Sequence, residues 1–182
     1  MKRTGALLAI ALSGFIAVGI AVAGLNDNWS THLKGAFEVP VRDTNAQGQA
    51  IFHLSDDGQS VTYKLIASNI ENVVQAHIHC GAAGVNGPIV VWLYPSVTAR
   101  TPLTGPQPRT DGVLAQGAFG TGDVIPRPIS AECPTGVDDL ADVLMLLNNG
   151  GAYANIHTND NVAPPNTGPG DFPGGEVRGQ VD

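Results

Sequence analysis

The stretch GQAIFHLSDDGQSVTYKLIA, residues 48–67, decides the reading of this chain. In its first half Ala50, Phe52 and Leu54 alternate with Ile51 and His53, and in its second half Val61, Tyr63 and Leu65 alternate with Thr62, Lys64 and Ile66. Side chains of a strand point to opposite faces in turn, so each half predicts a strand with one apolar face. Asp56-Asp57-Gly58 lies between them and supplies the residues a tight turn uses. Two alternating runs around an Asp-Gly turn predict a β-hairpin.

The same pattern continues outward. Upstream, Trp29–Phe37 reads as a strand ended by Glu38-Val39-Pro40. Downstream, Val73–Cys80 and Pro88–Tyr94 are apolar β-formers joined by the glycine-rich segment 81–87, residues 96–112 read as a long loop, and Val113–Phe119 resumes as a strand. Asp138–Asn148 alone carries helical spacing, with Leu140, Val143, Leu144 and Leu147 toward one side. Thr135 is the expected N-cap, and Gly150 and Gly151 are the expected terminators. Ala152–Thr158 and Glu176–Val181 complete the set around a Pro/Gly/Asn loop over 159–174. Short strands separated by turn residues predict an all-β domain, a Greek-key β-sandwich or barrel with one short capping helix.

At the N-terminus, Lys2 and Arg3 precede an apolar run from Ala6 to Val22 and the small residues Ala21-Val22-Ala23. A basic start, an apolar segment and a small-x-small site predict a secretory signal over 1–23, with the domain in 24–182. The run is also near the lower limit for a membrane span, so an uncleaved anchor is the alternative. The remaining chain has seven Lys and Arg against sixteen Asp and Glu. That acidic balance argues against nucleic acid and anionic membranes as partners and suits an extracellular or periplasmic protein. Cys80 and Cys133 form an even pair, expected to be joined in an oxidising compartment. The alternative is that Cys80, beside His79, serves as a metal ligand.

Five stretches carry a resemblance: Leu33–Pro40 (LKGAFEVP), Ala76–His79 (AHIH), Gly84–Val90 (GVNGPIV), Asn155–Thr158 (NIHT) and Pro173–Gln180 (PGGEVRGQ). Together and in this order they resemble the chordin-repeat (CHRD) domain family, from about residue 31 to the C-terminus. The resemblance implies an exported β-sandwich of the immunoglobulin or superoxide-dismutase kind, and its partner, protein or glycan, stays open. Growth-factor binding is not implied, because the cysteine-rich modules that accompany the domain in animal chordin are absent from this sequence.

The chemistry-bearing residues are histidines. His77 and His79, two apart on a predicted strand, point to one face and can converge on one ion. His157, on a late strand, is the expected third ligand; Asp160, Glu176, His53 and His32 are further possibilities. Imidazole suits zinc and copper alike. The same histidines can instead brace the fold through hydrogen bonds, in a structural or adhesive envelope protein. His-x-His followed by a glycine-rich turn is also similar to part of the copper/zinc superoxide dismutase pattern, but no further histidine cluster or bridging histidine completes it. No nucleophile-elbow motif is present, so no catalytic residue is assigned. Glu176 and Arg178 share one face of the last strand, where they could form a partly buried ion pair of structural rather than binding character.

Overall fold

The structure, a computed structural model, describes residues 27–181; the predicted signal segment lies outside the described residues. Eight strands form one antiparallel sheet: β1 (Asn28–Lys34), β2 (Gln47–Leu54), β3 (Ser60–Ile70), β4 (Val73–Cys80), β5 (Ile89–Tyr94), β6 (Thr110–Gly120), β7 (Ala152–Thr158) and β8 (Val177–Gln180). A helix, α1 (Leu140–Asn148), lies between β6 and β7.

The hairpin read from the sequence is β2–β3, with Phe52 opposite Tyr63 and Ala50 opposite Leu65. Ala50, Phe52, Val61, Tyr63 and Leu65 are buried, while Ile51 on the other face stays exposed. The turn is fixed by Asp57, whose carboxylate accepts from the Ser55 hydroxyl at 2.7 Å and the Gln59 amide at 3.0 Å. Gly58 follows with φ +68°, a left-handed position glycine takes without steric cost.

Spatial order along the sheet is β5-β4-β7-β8-β1-β2-β3-β6. The sheet curls so that its ends, β5 and β6, approach each other and nearly close a barrel. Three bonds reach β5 across the gap: the Tyr63 hydroxyl donates to the Leu93 carbonyl (2.7 Å), the Ile125 amide to Val90 (2.8 Å) and Arg127 Nε to Ile89 (2.7 Å). Around this ring the β3–β4 and β6–β7 connections each skip two strands, which is the expected Greek-key character.

One hydrophobic core fills the interior. Leu33, Phe52, Leu65, Ile78 and Ile156 from the strands meet Val143 and Leu147 from α1. Cys80 and Cys133 are disulfide-bonded, tying the segment before α1 to the end of β4.

Several boundaries differ from expectation, β6 for instance starting at Thr110 within the expected 96–112 loop, and two of the differences have a plain local cause. β1 stops at Lys34, and Gly35–Phe37 forms a 3₁₀ turn instead of continuing the strand. There the chain folds back on itself: the Arg42 amide donates to Gly35 O (2.9 Å), and a Cβ at position 35 would collide with Arg42's carbonyl and Thr44's methyl. The helix begins at Leu140, capped by Asp139 rather than Thr135. Asp139 accepts from the amides of Ala141 and Asp142, while the Thr135 hydroxyl donates to the Gly136 carbonyl.

Strands β4 and β7 are buried on both faces. One face carries Ile78 and Ile156 into the core. The other is roofed by loops, and that second face holds the site.

Candidate metal centre

β4 and β7 pair antiparallel, with His77 opposite Asn155, His79 opposite Tyr153 and His157 opposite Gln75. The two-residue period of each strand therefore places His77 and His79 on the same face as Tyr153, Asn155 and His157. The structure brings the three predicted histidines together: a ligand nitrogen from each lies within 4.8 Å of the others. Three nitrogens bound to one ion at ~2.0–2.1 Å stand about 3.4 Å apart, so the rings need to close by up to about 1.4 Å to share one.

Hydrogen bonds fix which nitrogens carry protons. A carbonyl only accepts, so His79 Nδ1 donates to Gly87 O at 2.9 Å and His157 Nδ1 donates to Pro173 O at 2.9 Å. In the neutral rings Nε2 then holds the lone pair. Nε2 of His157 lies 3.2 Å from His77 Nδ1 and 3.0 Å from Asn155 Oδ1; an amide oxygen cannot donate, so the proton between these groups is that of His77 Nδ1, and His77 Nε2 is unprotonated. Nε2 of His77 and Nε2 of His79 are buried and have no hydrogen-bond partner. Carbonyl-oriented imidazoles of this kind are what metal sites use to set the tautomer of a ligand.

Burial also holds the rings neutral. It pushes His77 down to about 2, with the neighbouring His157 and His79 adding to the effect. Burial likewise lowers His79 to about 3, against the opposing bond to Gly87, and His157 to about 4, against the bond to Pro173. All three are in the deprotonated form that ligation requires well below neutral pH.

Aromatic rings wall the cluster. Trp92 of β5 meets His77 edge-on at 4.3 Å between centroids, and Tyr153 stacks on His79 at 4.6 Å with planes 8° apart. On the far side of Tyr153 the Arg178 guanidinium sits 3.3 Å from its ring centroid. Arg178 is itself anchored by Asn86 Oδ1, Ala82 O and Val85 O. The roof is knit further by Asn86 Nδ2 donating to Val39 O (2.8 Å) and Arg42 Nε donating to Gly175 O (3.2 Å). The five stretches that carry the sequence resemblance thus meet around one cluster.

Several of the alternatives fall away here. Cys80 is no ligand: its sulfur is bonded to Cys133, and on β4 it faces the core, opposite to His77 and His79. Glu176 and Arg178 do not pair. Glu176 accepts from Thr44 Oγ1 and Thr158 Oγ1 at 2.6 Å each and from the Gly170 amide at 3.0 Å, which staples the 159–176 loop to the barrel. His53 is exposed and bonded to Asn28, His32 is exposed, and Asp160 caps the Val162 amide. None of these four side chains joins the cluster.

Sequence reasoning missed Glu38, Tyr153 and Asn155. Tyr153 and Asn155 alternate with His157 along one strand, and that period was a usable signal. Glu38 had none, since it lies just past the 3₁₀ turn; it is 4% exposed, one carboxylate oxygen lacks a partner, and burial raises it to about 7 against the pull of Arg178 and Arg42.

A nearly closed antiparallel barrel with a loop-roofed histidine cluster on one flank is the class of domain that fold and site define. A sequence model of the CHRD domain matches residues 29–164, three quarters of the chain, and the chain belongs to that family. The closing stretch 173–180 lies beyond the match, although β8 carries its Arg178 into the site. Comparisons with curated proteins and with solved structures gave no match.

Proposed function

We propose that this chain is an exported, noncatalytic CHRD module that holds one zinc or copper ion through His77, His79 and His157. The observation that carries the reading is the pair of buried, unpartnered Nε2 atoms on His77 and His79. Leaving a buried polar atom unsatisfied costs about 1–3 kcal/mol, which a purely bracing role does not explain and an ion would offset. All-imidazole ligation suits zinc and copper, whose bound form a ring orientation fixed by Gly87 and Pro173 would favour. When bound, such an ion acts as a cross-link between β4 and β7. Export rests on the signal pattern over 1–23 and is supported by the Cys80–Cys133 disulfide, a bond that persists in oxidising compartments.

Elemental mass spectrometry on the purified mature domain tests the site. One equivalent of zinc or copper is expected, lost in a His77→Ala/His79→Ala variant whose far-UV circular dichroism is unchanged. A folded wild-type domain that takes up neither metal after loading would leave the histidines as braces.

A further inference from the structure

A second site lies on the outer side of the Arg178–Tyr153 stack. Where β1 runs into the 3₁₀ turn, a cleft of about 730 Å³ opens between Lys34, Phe37, Val39 and Val41 on one side and Ala83 and Gly84 on the other. That volume is in the range of small-molecule sites. Its lining is predominantly apolar, and its rim is unusually wasteful for a surface: Phe37 is 52% exposed, Val39 36% and Val41 68%. Three large apolar side chains left in water within five residues give the cleft an apolar rim of the kind ligand-binding grooves carry.

Charge at this corner runs against the rest of the molecule. The chain carries a net charge of −7, yet three of the seven Lys and Arg among the described residues, Lys34, Arg42 and Arg178, gather here. The single carboxylate of the cleft, Glu38, is buried and already faces Arg178 and Arg42. Lys34 is the exposed charge that remains, with its ammonium 5.9 Å from the Phe37 ring centroid. An apolar trough with a cation at its mouth, in an otherwise acidic protein, selects an apolar body bearing one negative head.

We propose that this cleft binds a carboxylate amphiphile, with the hydrocarbon against Phe37, Val39 and Val41 and the carboxylate at Lys34. The cleft takes in none of the three histidines, although Arg178 lines it and also stacks on Tyr153, so the proposal does not need a bound metal.

Isothermal titration of the intact mature protein with decanoate, decanol and decylamine tests it, alongside Lys34→Glu and Phe37→Ser variants. Both substitutions fall on exposed side chains, and unchanged thermal unfolding confirms that the variants are folded. Decanoate is expected to bind about tenfold or more tightly than decylamine. Lys34→Glu is expected to abolish that preference, and Phe37→Ser to weaken every ligand that binds. Absence of decanoate binding, or equal affinity of decanoate for the wild type and Lys34→Glu, would overturn the proposal. Tighter binding of decylamine would instead assign the head-group contact to Glu38 and overturn it as well.

Discussion

Glu38 shows how much of this domain turns on single side chains. Its carboxyl lies over Gly175, where any Cβ would collide with it, so the glycine makes the seat that buries the acid. Burial raises the carboxyl from 4.5 to about 7, which means the folded state takes up a proton more readily than the unfolded chain. Stability from this group is therefore full below about 4.5 and is lost as pH rises toward 7. The buried histidines work in the opposite direction: with folded values far below 6.5, they cost stability as pH falls beneath 6.5. Comparison of metal-free wild type with Glu38→Gln cancels the histidine contribution. The variant's urea midpoint is expected to gain on the wild type between pH 5 and pH 7.5, and a constant difference across that range would show the carboxyl to be unperturbed. The histidines themselves were legible from a two-residue spacing and one late strand. Glu38 was not, because nothing local in a turn residue reveals which distant glycine it will rest on.

At the level of elements, period-2 alternation located the strands, and their ends were set by contacts the pattern does not contain. β1 looked longer because Gly35-Ala36-Phe37 is compatible with a strand, yet the return of the chain at Arg42 bends it away. The bend is what lifts Phe37 out of the core and onto the cleft rim. The start of α1 is a similar case: two acidic residues, Asp138 and Asp139, precede it, and only the second presents its carboxylate to the free amides of the first turn. Asp139→Ala is expected to destabilise the domain by about 1 kcal/mol, as the loss of an N-cap does. Thr135→Ala is expected to change it by less than about 0.5 kcal/mol, as substitutions away from such features do. Urea titrations of the two variants check the assignment; equal losses would contradict it.

Across the whole molecule, the disulfide and the sheet closure act on the same β4–β5 side of the barrel. Cys80 and Cys133 are separated by 53 residues, a span that includes β5, β6 and the approach to α1. Closing a loop of that length stabilises by up to about 4 kcal/mol in the chain-entropy model. The Cys80→Ala/Cys133→Ala variant is expected to lose about 2–4 kcal/mol in denaturant unfolding, with the histidine cluster intact because neither sulfur faces the imidazoles. Fold class and cysteine pairing were legible at this scale, since strand count, turn spacing and an even cysteine number are global properties. The sheet order was not, because it depends on which strands meet after two connections pass over their neighbours.

The near-closure of the sheet has one further consequence. An open sheet ends in rows of unpaired amide and carbonyl groups that can template the addition of a neighbour's strand. Here β5, one end of the sheet, already has three carbonyls taken, those of Ile89, Val90 and Leu93, by Arg127, Ile125 and the Tyr63 hydroxyl. That end of the sheet is therefore a poorer template for edge-to-edge pairing between copies of the domain than an open edge would be.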